Sequence, residues 1–196
     1  AQSIEDLAIF RTLPNVTVMH PSDEVSTRIL TKRLATSTNA SYMRTARNKT
    51  PVLYDDTPED SIQIGKGLEL KNGSDVAIVA CGVLVSESLK AAEMLAQEGI
   101  QATVVDMHTI KPLDTDLINK VAERCGCIVT AEDHSIIGGL GGAVAEHLSL
   151  TTTTPLERVG VKDRFGESGQ SDEMLELMEL SAPHIAKAAR RAMQRK

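Results

Sequence analysis

The chain has 196 residues, 41% of them hydrophobic and 2% aromatic, enough to bury one good core and a fragment of another. Its 27 acidic and 21 basic side chains leave a formal charge of −6, which argues against general binding to nucleic acid or to an anionic membrane while leaving small anions free to bind locally. No apolar run reaches membrane-spanning length, and three cysteines in or near apolar runs suit a reduced, cytoplasmic protein better than a disulfide framework.

From the first residue the chain reads as helix, with Ile4, Leu7, Ala8 and Phe10 spaced for one face, as though it opened inside a domain. After Pro14 the β-branched NVTVMHP reads as a strand. Ser22 and Asp23 then offer helix-start chemistry ahead of Val25, Ile29, Leu30 and Leu34. SYMRTARNKTPVLY, residues 41–54, predicts two short strands around a polar turn, and 55–69 is a polar connector containing Pro and Gly, suited to a domain boundary.

Beyond the connector, DVAIVACG is a continuous apolar run of the kind buried on both faces of a parallel sheet, and a helix over 83–97 follows, stopped by Gly99. The alternation repeats: QATVVDM as strand, 114–124 as helix, CIVTAE as strand, 141–150 as helix, PLERVGV as the last strand, then two helices. The fold class is therefore α/β, an open and mostly parallel sheet with helices on both faces, preceded by the last elements of a second α/β domain.

Three groups of residues invite a chemical reading. In TAEDHSIIGGLGG, Glu132, Asp133 and His134 stand at the carboxyl edge of a strand, where ligands of open α/β sheets collect. The spacing of Gly138, Gly139, Gly141 and Gly142 nevertheless matches neither a dinucleotide fingerprint nor a Walker loop. The favoured reading is that these glycines pack a helix tightly on its sheet or on another subunit while Asp133 and His134 bond locally. Arg44 and Arg47 in RTAR follow a strand, where guanidinium forks can grip phosphate or carboxylate, or can stand as solvated surface cations. Cys125-Gly-Cys127 lacks the further ligands a zinc site needs and reads as core, and no metal-ligating set is assigned.

Taken in order, SIEDLAIFR-x-LPN, HPSDEV, YMRTAR, IKPLD, AEDH-x-x-x-GGLG and VGVKDRFGESGQSDEML resemble transketolase, in particular the carboxyl-terminal half of transketolases split between two polypeptides. The resemblance implies that residues 1–54 are the end of a pyrimidine-binding domain, 55–69 a linker and 70–196 the transketolase C-terminal domain. It implies two-carbon ketol transfer between phosphosugars, with thiamine diphosphate and a divalent metal such as Mg bound by the complete enzyme and neither bound by this chain alone. The partner is then a second copy, or an amino-terminal diphosphate-binding half in a heterotetramer. The family's Gly-Asp-Gly metal signature has no counterpart here, so no catalytic residue is named. By resemblance Arg47 is the substrate-phosphate arginine with Arg44 beside it, Gln2 is cofactor-adjacent, and Ala1 departs from the family's usual His or Gln. Deoxyxylulose phosphate synthase and the β-subunit of 2-oxo acid dehydrogenases share this architecture and stand as alternatives, as does a non-catalytic dimerisation module.

Overall fold

A computed structural model describes residues 3–196. Gln2, expected beside a cofactor, lies outside the described residues. The chain opens with helix α1 (Asp6–Thr12), strand β1 (Thr17–Met19), helix α2 (Glu24–Ala35) and strand β2 (Ser41–Met43). It continues with β3 (Leu68–Lys71), β4 (Val76–Ala80), α3 (Leu84–Gln97), β5 (Ala102–Asp106), β6 (Thr109–Lys111), α4 (Thr115–Cys125), β7 (Ile128–Ser135), α5 (Leu140–Thr151), β8 (Leu156–Val161), α6 (Ser171–Leu177) and α7 (Ala182–Met193).

Two sheets form. The larger has five strands in the order β3-β5-β4-β7-β8, parallel except for the edge strand β3, which runs antiparallel to β5. Strand β4 is buried along its whole length because both faces are covered, as its unbroken apolar sequence requires. Ile78 and Val129 face α3 and α7, whereas Val79 and Ile128 face α4 and α5. The smaller sheet, β2-β1-β6, pairs β1 parallel to β2 and antiparallel to β6. Only Met107 and His108 separate β5 from β6, so one continuous segment supplies a strand to each sheet.

The local signals act as their chemistry demands. Asp23 caps α2 by accepting from the Ser26 amide at 2.7 Å, and Asp114 caps α4 through the Leu117 amide at 3.2 Å. Gly126 ends α4 with a φ of 69°, in the left-handed region that favours glycine.

Three expectations need correction. PVLY forms no strand: Pro51 has no amide to give a ladder, and the Leu53 and Tyr54 amides donate instead to the Asp23 carboxylate, at 2.8 and 3.3 Å. The connector 55–69 is not wholly a linker, because its last two residues begin β3. Strand β7 runs on to Ser135, so Glu132, Asp133 and His134 lie on the strand and not beyond its end. The extension holds because Ser135 pairs with Val161 past a register shift and its amide donates to the Ile4 carbonyl at 2.7 Å.

Helix α7 approaches α3 and the sheet through a row of small residues, Ala182, Ala186, Ala189 and Ala192, all buried. Extra volume there has no rotamer to occupy. Ala189→Leu is expected to destabilise the fold by about 1–3 kcal/mol, visible as a lower midpoint in thermal unfolding followed by circular dichroism.

Candidate functional site at the seam between the sheets

Parallel β1 and β2 deliver the residues that follow them, His20 and Arg44, to one edge of the small sheet. The Arg44 amide donates to the Met19 carbonyl at 2.9 Å, and the His20 amide to the His108 carbonyl at 2.8 Å. Strand β7 of the large sheet brings Asp133 to the same place, and the start of α1 brings Asp6. Arg44 lies 3.6 Å from Asp6 Oδ1 through Nη1 and 3.4 Å from Asp133 Oδ2 through Nη2. Asp133 Oδ1 faces His20 Nδ1 at 3.5 Å, and Tyr42 OH donates to Asp6 Oδ2 at 2.6 Å. The Tyr42 ring stacks on Phe10 at 3.9 Å, tying β2 to α1.

Burial sets the charge states. Desolvation pushes the Asp133 carboxyl up to about 6 against the opposing pull of the Arg44 cation. It drives the fully buried His20 down to about 3, with Arg44 adding to the depression, so the imidazole is neutral at pH 7. His134 is likewise lowered by burial. Its Nδ1 faces the Ser135 carbonyl at 2.7 Å and its Nε2 accepts from the Ala8 amide at 3.3 Å, which selects the tautomer protonated on Nδ1.

The glycine-rich turn resolves into a helix start whose acceptor is internal. Helix α5 has no capping side chain of its own. Its first amides, Leu140 and Gly141, donate to the two oxygens of Glu132 at 2.7 and 2.8 Å, where the helix dipole also favours negative charge. A β-carbon on Gly139 would collide with that carboxylate, and one on Gly141 would sit 2.9 Å from both Arg158 Cδ and Thr130 Oγ1. Gly138, with a φ of 80°, turns the chain, and its carbonyl accepts from Arg11 Nε at 2.7 Å. The expected structural role of these glycines takes this form: they seat α5 on its own sheet and clear space for Glu132.

Of the sequence-level candidates, the structure brings Arg44 and Asp133 together and places Glu132 and His134 beside them on β7. Arg47 stands apart, exposed in the loop after β2. Arg44 is 16% exposed at its side chain and turned into the carboxylate cluster, so it is not a free surface cation. Sequence reasoning passed over Asp6 and Tyr42. His20 carried one usable signal, its place directly after a β-branched strand.

Another buried carboxylate, Asp106, accepts from Ser22 Oγ at 2.6 Å and Tyr54 OH at 2.7 Å, and burial raises it to about 7. Among the described residues no group of three or more His, Cys, Asp or Glu stands in an array that could hold a metal ion. The seam cluster has an arginine between its two acids, the wrong donor set for a cation.

Gly82 packs against the His20 ring with a φ of 57°, and a β-carbon there would overlap the imidazole. Gly82→Ala is therefore expected to displace His20 and lower the unfolding midpoint, with a shift of the His20 ring resonances in NMR as the direct readout. A pH test follows from the opposed shifts. Glu132 is raised by burial from 4.5 to about 7, so its folded state holds a proton the unfolded state has released, and that stabilisation is lost as pH climbs through 7. His20 is lowered to about 3, so the unfolded chain binds the extra proton and stability grows as pH rises towards 6.5. Glu132→Gln removes the first effect and keeps the second. The variant is expected to be less stable than the parent by about 1–3 kcal/mol near pH 5, and the gap should narrow as unfolding is repeated at successive pH values up to 7.

The sequence profile described as transketolase, C-terminal domain, matches residues 65–185, and that described as transketolase, pyrimidine binding domain, matches residues 1–52. A putative transketolase C-terminal section of Methanocaldococcus jannaschii is 41% identical over 99% of this chain and 61% of its own length. A 1-deoxy-D-xylulose-5-phosphate synthase of Crocosphaera subtropica is 37% identical over 96% of this chain and 30% of its own. A solved split-gene transketolase, an inactive β4 tetramer, superposes with a TM-score of 0.94 at 43% identity, covering 98% of this chain and 63% of that one. The chain thus spans less than two thirds of the length of these relatives. With a profile match across the larger sheet and its helices, the chain belongs to the transketolase family and carries that family's C-terminal domain.

Proposed function

We propose that this chain is the carboxyl-terminal part of a thiamine diphosphate-dependent transketolase that moves two-carbon ketol units between phosphosugars in the cytoplasm. In this reading residues 1–54 complete a pyrimidine-binding domain, 70–196 form the C-terminal domain, and the working enzyme pairs the chain with an amino-terminal diphosphate-binding half, as a homodimer or heterotetramer. The observation that carries it is the exposed Arg47 loop at the carboxyl ends of the parallel strands β1 and β2, the edge at which open α/β sheets receive ligands.

Arg47 is the substrate-phosphate ligand of this proposal. Its guanidinium can donate to two phosphate oxygens in a fork and so fix the distal end of the sugar, leaving the reacting end to be placed elsewhere. Arg44 holds the base of the loop. The cofactor would supply the carbanion chemistry when bound. No step through the cofactor is assigned to the described residues. The inactive β4 state of the split-gene relative supports the reading that the isolated chain has no turnover.

Mixing the chain with its complementary half, thiamine diphosphate and Mg²⁺ is expected to produce ketol transfer from a ketose phosphate to an aldose phosphate, and the chain alone to produce none. Release of carbon dioxide from pyruvate, without ketose-to-aldose transfer, would instead support the deoxyxylulose phosphate synthase or 2-oxo acid dehydrogenase alternative. In the active assembly Arg47→Ala is expected to raise the KM for the phosphosugar by roughly 10- to 100-fold with a much smaller change in kcat.

A further inference from the structure

Arg44 faces two carboxylates that come from opposite ends of the chain's organisation. Asp6 belongs to α1 and the small sheet's own segment; Asp133 belongs to β7, an interior strand of the large sheet. Asp6 already has a strong partner in the Tyr42 hydroxyl at 2.6 Å. Asp133 Oδ2 reaches Arg44 Nη2 at 3.4 Å, while Asp133 Oδ1 and Arg44 Nη1 have no hydrogen-bond partner among the described residues.

The geometry is unlike that of a pair serving stability. A stabilising Arg–carboxylate pair is short and bidentate, and charges held this loosely in a part-buried seam recover little of their desolvation cost. The two side chains are 16% and 23% exposed, open enough to feel a ligand at the rim. Arg44 is the first residue after β2, its amide pinned to the Met19 carbonyl at 2.9 Å. Arg47 follows three residues later, within about 10 Å of extended chain. His20, wedged between Gly82 and Asp133, limits where the Asp133 carboxylate can turn.

We propose that Asp133 is a positioning residue for the phosphosugar loop: from the C-terminal domain it orients Arg44, which sets the start of the 45–50 loop carrying Arg47. This rests on the phosphosugar-transfer reading above, and it gives the C-terminal domain a part in substrate recognition besides packing. Specificity for a phosphorylated substrate would then depend on a residue that never touches it.

The test uses the assembled enzyme, with a pentose 5-phosphate and the same pentose lacking phosphate as alternative acceptors. Asp133→Asn is expected to raise the KM for the phosphorylated acceptor about tenfold, equivalent to about 1.4 kcal/mol, and to weaken inhibition by inorganic phosphate in parallel. The KM for the unphosphorylated acceptor should change less than twofold, and Asp133→Glu should restore most of the phosphate-dependent difference. Equal losses on both acceptors, or no change on either, would overturn the positioning role. If Asp133→Asn does not assemble, Arg44→Lys carries the same comparison, because it keeps the charge and loses the planar fork. Parent enzyme with no ketol transfer would sink the underlying functional reading; an active parent with an acceptor-blind variant would sink this inference alone.

Discussion

Three consecutive ionisable residues inside a covered strand are costly to desolvate, and much of the molecule is arranged around satisfying them. Glu132 is satisfied by the first amides of α5, His134 by the Ser135 carbonyl and the Ala8 amide, and Asp133 in part by Arg44. Each solution recruits a different element, so β7 cannot settle without α5, α1 and the end of β2 in place. Arg11 then clamps α1 against the turn before α5, donating to the Gly138 carbonyl at 2.7 Å and to Glu146 at 2.8 Å.

The same constraint explains why the glycine-rich turn looks like a ligand loop. Exposed amides at a helix start attract an anion whatever its source. In phosphate-binding loops the acceptor is an anion from solution; here it is a carboxyl side chain eight residues upstream. The resemblance between the two arrangements is physical, and besides the glycine spacing it is the position of Glu132 on the neighbouring strand that distinguishes them.

Much of the architecture could be read from the residues. The run VAIVA declared a strand buried on both faces, and the capping chemistry of Asp23 marked a helix start. Two of the short elements could not be read. Strands β3 and β6 are too short to show a period, and exist because β5 and β1 offer unpaired ladder edges. PVLY had the composition of a strand but its amides found the Asp23 carboxylate first. At the site, Arg44 and Asp133 were visible as residue types and their encounter was not, because 89 positions of chain separate them. Asp6 and His20 gave still less warning, since a lone acid in a first helical turn and a lone histidine after a strand are ordinary until the fold sets them against the same guanidinium.

The passage from β5 to β6 has a consequence for recombination among relatives. A graft made at the polar connector would appear to exchange one intact unit for another, yet it would carry away the third strand of the sheet left behind, along with the His108 carbonyl that holds His20. Chimeras joined there inherit β1 from one parent and its antiparallel neighbour from the other. Compatibility of such hybrids therefore depends on Val18–Lys111 and Met19–Thr109, a few residues of register, together with the seam contacts of β7, more than on the connector at which they are cut.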